Sequence, residues 1–188
     1  MTRTLILGGA RSGKSRHAEA LAAASGKKIV YVATARTGDQ EMAMRIAQHR
    51  QERDPEWTTV EEPMALGAVI ERWSAPDCLI LLDCMTIWLS NLLFDEKIDF
   101  PEIGQIVPPD CFHEQRAKLL HALKHAAGDV ILVSNEVGMG IVPLGAVSRW
   151  FVDEAGRLNQ ELAAMCECAM LIVAGLPLSL KDGSCLPA

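Results

Sequence analysis

The sequence predicts an α/β fold, a single domain with helices on both faces of a doubly wound, mainly parallel sheet. Three observations predict it. Five strand-sized apolar runs recur along the 188 residues. Segments with helical spacing lie between them, and the first run leads directly into a glycine-rich loop and a helix. The runs are apolar throughout rather than alternating, as strands covered on both faces must be.

In chain order, the first strand is "TLIL" (4–7), followed by a helix on which Ala18, Leu21 and Ala22 share a face. "KIVYVAT" (28–34) is the second strand. An acidic-start helical segment, "DQEMAMRIAQHRQERDPEW", comes next, and Leu66, Val69, Ile70 and Trp73 mark a further helix. "CLILLDC" (78–84) is the third strand. The stretch 95–112, "DEKIDFPEIGQIVPPDCF", is rich in proline and acid and reads as a surface excursion between two helices. Leu119, Leu120 and Leu123 then mark a helix closed by Gly128, followed by the strand "DVILVSNEV" (129–137). A long amphipathic helix carrying Val147, Trp150, Phe151, Ala155, Leu158 and Leu162 feeds the last expected strand, "AMLIVAG" (169–175). The tail after Lys181 (182–188) is expected to be loose.

Composition narrows the functional classes. Hydrophobic residues make up 49% and charged residues 22%, too polar for a membrane protein and ordinary for a soluble α/β domain. The formal net charge of −6 argues against a polyanion partner, so no nucleic acid is expected. No apolar run is long enough for a membrane span, and "MTRTLIL" lacks the apolar region of a signal peptide, so a cytoplasmic protein is expected. Cys78, Cys84, Cys111, Cys166, Cys168 and Cys185 have neither zinc-site nor disulfide-framework spacing and read as reduced thiols, with Cys166 and Cys168 as helical packing.

The strongest chemical signal is "GGARSGKS", Gly8 to Ser15, which satisfies G-x-x-x-x-G-K-[ST] between a strand and a helix. The run Gly8, Gly9, Ala10, Arg11, Ser12, Gly13, Lys14 and Ser15 therefore reads as a P-loop. Glycines let the backbone turn its N–H groups toward phosphate oxygens, Lys14 reaches the outer phosphates, and the Ser15 hydroxyl is suited to Mg²⁺. The fold expectation sharpens to a single P-loop NTPase domain, RecA-like. Asp83 ends the aliphatic strand "LILLDC", as a metal-holding carboxylate on a neighbouring parallel strand would. Ser134, Asn135 and Glu136 end another strand at the same edge and can face a transferred group. For Glu136, help in proton transfer and a structural loop role both remain open.

Of the five histidines, His121 and His125 are spaced i, i+4 without a third ligand and read as a solvated face. His49 shares a helix face with Met42 and Ile46, the spacing of a core position. Arg45, Arg50 and Arg53 surround it with positive charge. That suits a nearby phosphate and favours the neutral imidazole, whose nitrogen can attack phosphorus.

The motifs "GGARSGKSRHAE", "YVAT", "DQEMAMRIAQHRQERDPEW", "LLDCMTIWLSNLLF", "VSNEVGMGIVP", "AGRLNQELA" and "VAGLPLSLK" span nearly the whole chain. Together they resemble the bifunctional adenosylcobinamide kinase and adenosylcobinamide-phosphate guanylyltransferase family of cobalamin biosynthesis. The resemblance implies phosphorylation of adenosylcobinamide with ATP or GTP. Transfer of GMP from GTP to the adenosylcobinamide phosphate would follow, through a GMP–histidine intermediate on His49. It also implies nucleotide contacts from the loop residues 8–15, from Ala33, Thr34 and Ala35, from Arg50, Gln51, Glu52 and Arg53, from either Glu61 or Glu62, and from Asp83. Family members are homotrimers. By this likeness Lys14 and His49 are the catalytic residues and Mg²⁺, held by Ser15 and Asp83, is the cofactor. Stretch 95–112 matches no motif of the family. Without the likeness, the loop alone leaves open a plain P-loop kinase with a structural His49, or a nucleotide-driven switch.

Overall fold

The computed structural model describes residues 1–36, 54–95 and 98–181. The chain runs β1 (Arg3–Gly8), α1 (Lys14–Ala24), β2 (Lys28–Ala33), β3 (Thr58–Glu61), α2 (Leu66–Trp73), β4 (Cys78–Asp83), α3 (Met85–Phe94), α4 (Asp110–His125), β5 (Asp129–Asn135), α5 (Ala146–Met165), β6 (Cys168–Val173) and β7 (Leu176–Lys181). Among the described residues these strands make one seven-stranded sheet, ordered β3-β2-β4-β5-β1-β6-β7. Every pairing is parallel except that of β6 with β7.

Strand geometry sorts the apolar runs onto two faces, because successive side chains point to opposite sides. Leu5, Leu7, Val30, Val32, Ile80, Leu82, Val130 and Leu132 join one cluster under α2, α3, α4 and α5. Ile6, Tyr31, Leu79, Leu81, Ile131 and Val133 join the other, against Ala18, Leu21 and Ala22 of α1. Helices on both faces confirm the doubly wound α/β architecture.

Two strands were not legible in the sequence. The segment that forms β3, "TTVE", has one apolar residue and lies at a sheet edge, where burial demands little of composition. Strand β7 is exposed along its length at the opposite edge. It is reached by a tight turn in which Ala174 (φ 52°) and Gly175 (φ 80°) both adopt the left-handed conformation of a two-residue hairpin. Helix α3 is nearly apolar all round and buries Trp88, Leu89, Leu92 and Leu93. That uniformity hides its 3.6-residue period.

Smaller corrections concern helix ends and thiols. Helix α4 ends at His125 rather than at Gly128, and the N–H groups of Ala127 and Gly128 donate to Ser74 Oγ (2.6 and 3.0 Å). Within 95–112, residues 101–105 are exposed, whereas Ile106 and Phe112 turn into the core and Asp110 opens α4. Cys166 follows the end of α5 while Cys168 lies in β6, so the two do not share a helix face. Cys78, Cys84, Cys111 and Cys166 are free, but Cys168 is disulfide-bonded, which corrects the expectation of a reduced thiol there. Cys185 and the rest of the tail lie outside the described residues.

The N-terminal edge of the sheet is closed by charge. Buried Asp129 accepts the Thr2 N–H (2.7 Å) and pairs with Lys27 (2.7 Å), and Arg3 pairs with Glu167 (2.6 Å). The Arg3 guanidinium holds the Glu167 carboxyl below its ordinary range. The C-terminal edge carries the loops, among which Arg36 pairs with Asp95 (2.6 Å).

Candidate active site

Strand β1 delivers the glycine-rich loop to this open edge. The loop's tightness comes from contact rather than composition alone. A Cβ on Gly8 would lie 2.4 Å from Ser12 Oγ and 2.8 Å from the Ile172 carbonyl oxygen, so no side chain fits there. Arg11 (φ 55°) and Gly13 (φ 94°) take left-handed conformations that curl the backbone. The Gly175 N–H in the β6–β7 turn donates to the Ser12 carbonyl (2.8 Å), bracing the loop from behind. Lys14 opens α1 and folds its Nζ back to the Gly9 carbonyl (3.2 Å), while Ser12 Oγ is buried without a partner among the described residues. A helix N-terminus, a curled backbone and an unspent hydroxyl together make a preformed anion cradle.

Asp83 closes β4. Strand β5 lies between β4 and β1, so β4 is not the immediate neighbour of β1 that the sequence reading expected. In register Asp83 sits beside Ala33 on β2 and Val133 on β5. Its Oδ2 accepts the hydroxyl of buried Tyr31 (3.1 Å). Sequence reasoning missed Tyr31, which looked like one more interior residue of "YVAT".

The ends of β2 and β4 are locked through Thr34. Its hydroxyl donates to the Cys84 carbonyl (2.9 Å) and accepts the Cys84 N–H (2.8 Å), and its N–H donates to the Asp83 carbonyl (3.1 Å). Burial pushes the Cys84 thiol up, so it remains a neutral packing group. Ala35 and Arg36 continue from this lock along the wall of a cleft.

Of the adjacent acidic pair, Glu62 accepts the N–H groups of Met64 and Ala65 (2.9 and 2.8 Å), the turn that leads into α2. Glu61 is the residue at the strand end, in register with Ala33.

The triplet at the end of β5 divides. Ser134 is wholly buried and donates to Asn159 Oδ1 of α5 (2.7 Å), so it faces the core and not a ligand. Glu136 donates its N–H to the Gly8 carbonyl (3.1 Å), while its Oε1 accepts the Gly138 N–H (2.8 Å). Asn135 pairs in register with Gly8 and lines the cleft. Its Nδ2 donates to Thr86 Oγ1 (2.7 Å), and Asn159 Nδ2 donates to its carbonyl (3.3 Å). Asn159 could have been found in the sequence as a polar residue among Ala155, Leu158 and Leu162 on the buried face of α5.

His49 and residues Arg50, Gln51, Glu52 and Arg53 lie outside the described residues. Among the described residues the candidate site thus comprises the phosphate loop, the Ala33–Ala35 strand end, Glu61 or Glu62, Asp83, and the cleft beside Asn135. Ser15 Oγ and the Asp83 carboxylate are hard oxygen donors on converging elements. That donor set fits a small divalent cation that keeps phosphate and water as its remaining ligands.

Comparisons with known proteins agree with this fold and show the family. Solved structures with the same fold include an ATPase of the type III secretion system of pathogenic bacteria and an ATP synthase subunit, NeqB, of Nanoarchaeum equitans. Each has a TM-score of 0.53, at 14% and 12% identity. Each is covered over 95% of this chain, which spans 56% and 52% of theirs, and at such identity the likeness concerns the P-loop ATPase fold alone. The bifunctional adenosylcobalamin biosynthesis protein CobP of Pseudomonas aeruginosa is 49% identical, over 95% of this chain and 97% of its own. The corresponding protein CobU of Escherichia coli is 41% identical, over 94% and 98%. Residues 4–180 match the family described as cobinamide kinase / cobinamide phosphate guanyltransferase, and the chain belongs to that family.

Proposed function

We propose that this chain phosphorylates the aminopropanol hydroxyl of adenosylcobinamide with ATP or GTP. It then transfers GMP from GTP to the resulting phosphate through a covalent GMP–His49 intermediate, releasing pyrophosphate. The observation that carries the proposal is the preformed phosphate cradle at Gly8–Ser15 in a chain of this family.

In the kinase step the loop N–H groups and Lys14 hold the β- and γ-phosphates. The cobinamide hydroxyl oxygen forms the new bond to the γ-phosphorus as the bridging bond to the nucleoside diphosphate breaks. Positioning and charge neutralisation supply most of the catalysis in such transfers. In the second step the neutral His49 imidazole attacks the α-phosphorus of GTP and pyrophosphate leaves. The cobinamide phosphate then displaces the imidazole, so that one difficult transfer becomes two easier ones. Arg11 and Lys14 offset charge on the leaving pyrophosphate. Ser15 and Asp83 would hold Mg²⁺, with Tyr31 orienting Asp83. When bound, the ion supplies charge neutralisation at the phosphates. Ala33, Thr34, Ala35, Glu61 or Glu62, and Arg50–Arg53 complete the nucleotide contacts in this reading.

The substrates are small molecules, and no helix among the described residues is long and apolar enough to cross a membrane. A cytoplasmic homotrimer is the assembly and compartment that the family resemblance supports.

The test separates the two half-reactions. His49→Asn is expected to keep cobinamide phosphorylation within about threefold of wild type. It should lose guanylyl transfer by at least about three orders of magnitude, as removal of a covalent nucleophile does. Equal loss of both, in a folded variant, would return His49 to a structural role.

A further inference from the structure

We propose that the cleft beside Asn135 seats the hydroxyl-bearing acceptor of the kinase step, and that Asn135 Oδ1, aimed by Thr86 and Asn159, accepts the hydrogen bond of that hydroxyl. The inference rests on the kinase reading above and names where and how its acceptor is held.

The cleft has a volume of about 420 Å³ and opens at the C-terminal edge of the sheet. Ala35, Ile87, Val137 and Phe151 give it apolar surface, and Thr86, Asn135, Ser90, Asn91 and Arg36 supply the polar part of the lining, with Arg36 paired to Asp95 and Asn91 donating to the Thr34 and Pro63 carbonyls. A cleft of this size and mixed lining suits the hydroxyl-bearing arm of a larger, partly apolar organic molecule, oriented through its polar function. No residue of the phosphate loop lines it, so it is a separate compartment beside the cradle and not part of it.

Asn135 lies where the two compartments meet. Its Cα is in register with Gly8, the first glycine of the loop, and the next residue donates its N–H to the Gly8 carbonyl. Its carboxamide and its backbone are each held by a neighbour. Nδ2 donates to Thr86 Oγ1 (2.7 Å), and Thr86 is itself buried with its hydroxyl 3.3 Å from Cys84 Sγ. The backbone beneath is fixed by Asn159, which takes the Ser134 hydroxyl and donates to the Asn135 carbonyl. Once Nδ2 is committed to Thr86, the carboxamide has one orientation, and its Oδ1 has no hydrogen-bond partner among the described residues. An amide oxygen accepts a hydrogen bond without taking the proton. It therefore aligns a neutral hydroxyl and does not act as a base. As the hydroxyl oxygen bonds to the γ-phosphorus and the diphosphate departs, the hydroxyl proton passes to water.

Phosphorylated acceptor no longer carries this donor. Asn135 therefore matters to the kinase step and little to guanylyl transfer, a separation that a general structural defect would not produce.

The test measures steady-state kinetics of both half-reactions for wild type, Asn135→Ala, Thr86→Val and Thr86→Ser, with folding checked by thermal unfolding. Asn135→Ala is expected to lower kcat/KM for adenosylcobinamide by roughly three- to tenfold, the value of one hydrogen bond. The KM for ATP and the kcat/KM for pre-formed adenosylcobinamide phosphate should move by less than about twofold. Thr86→Val should shift the kinase step in the same direction by a smaller factor, and Thr86→Ser should restore it. If Asn135→Ala does not fold, the Thr86 pair carries the test. Wild-type turnover with unchanged acceptor kinetics in these variants, or with KM for ATP rising equally, overturns the inference while leaving the kinase reading intact. Wild-type protein that phosphorylates no cobinamide overturns both.

Discussion

Gly8 carries the narrowest constraint in the loop. Its neighbours leave no room for even a methyl group, with Ser12 Oγ and the Ile172 carbonyl inside contact distance of where one would stand. Gly8→Ala must push the loop away from β6 or displace Ser12, and either movement spoils the aim of the N–H groups. The expected result is at least about tenfold weaker binding of a fluorescent GTP analogue. Thermodynamic stability should fall by about 1–3 kcal/mol, the usual cost of forcing atoms into a packed site. Gly9, where an added Cβ meets nothing, is the control and should tolerate alanine. The sequence motif announced the loop but not this asymmetry between its first two glycines, which depends on how close β6 and Ser12 come. Tyr31 and Thr86 were illegible for a similar reason. Each looks like ordinary strand or helix filling until its hydroxyl is placed against Asp83 or Asn135.

Helices α4 and α5 are joined by a charged clamp. Arg116 donates to Glu154 (2.6 Å) and pairs with Glu161 (3.0 Å), and its side chain and that of Glu154 are only 12% and 10% exposed. Removing one member of such a pair leaves an unpaired buried charge, which costs more than the pair itself contributes. Arg116→Ala is expected to destabilise the protein by about 3 kcal/mol in urea titration, moderated because Arg157 also bonds Glu154. Replacing Arg116 and Glu154 together by Met and Leu should be near neutral. The clamp matters to the site because α5 also supplies Asn159. Elements with strong periodicity or continuous apolar runs were legible from sequence: β1, β2, β4, β5, β6, α1, α2, α4 and α5. Those at the sheet edges were not, because β3 and β7 are held by backbone pairing and bury little. Edge strand β7 instead contributes Lys181, whose Nζ donates to the Ala163 carbonyl (3.1 Å) near the end of α5.

Several ion pairs close the N-terminal edge of the sheet, Arg3 with Glu167, Lys27 with Asp129 and Lys28 with Asp77, while Arg36 pairs with Asp95 beside the loops at the C-terminal edge. Register brings Gly8, Ala33, Glu61, Asp83 and Asn135 to that open edge from five separate strands. This convergence is why a short loop motif at the start of the chain and an aspartate far along it can serve the one site proposed above. In the function proposed above, two chemistries share one phosphate cradle and differ in the nucleophile. A hydroxyl would attack γ-phosphorus in one, and the His49 imidazole would attack α-phosphorus in the other. The covalent nucleotide is therefore the species to trap. Protein is mixed with GTP labelled at the α-phosphate and Mg²⁺, then quenched under denaturing conditions, with His49→Ala and His49→Asn alongside. Label that stays on the wild-type chain through alkali, is released by acid, and is missing from both variants is the expected result. Folded wild-type protein that binds GTP yet retains no label would contradict nucleotidyl transfer through His49.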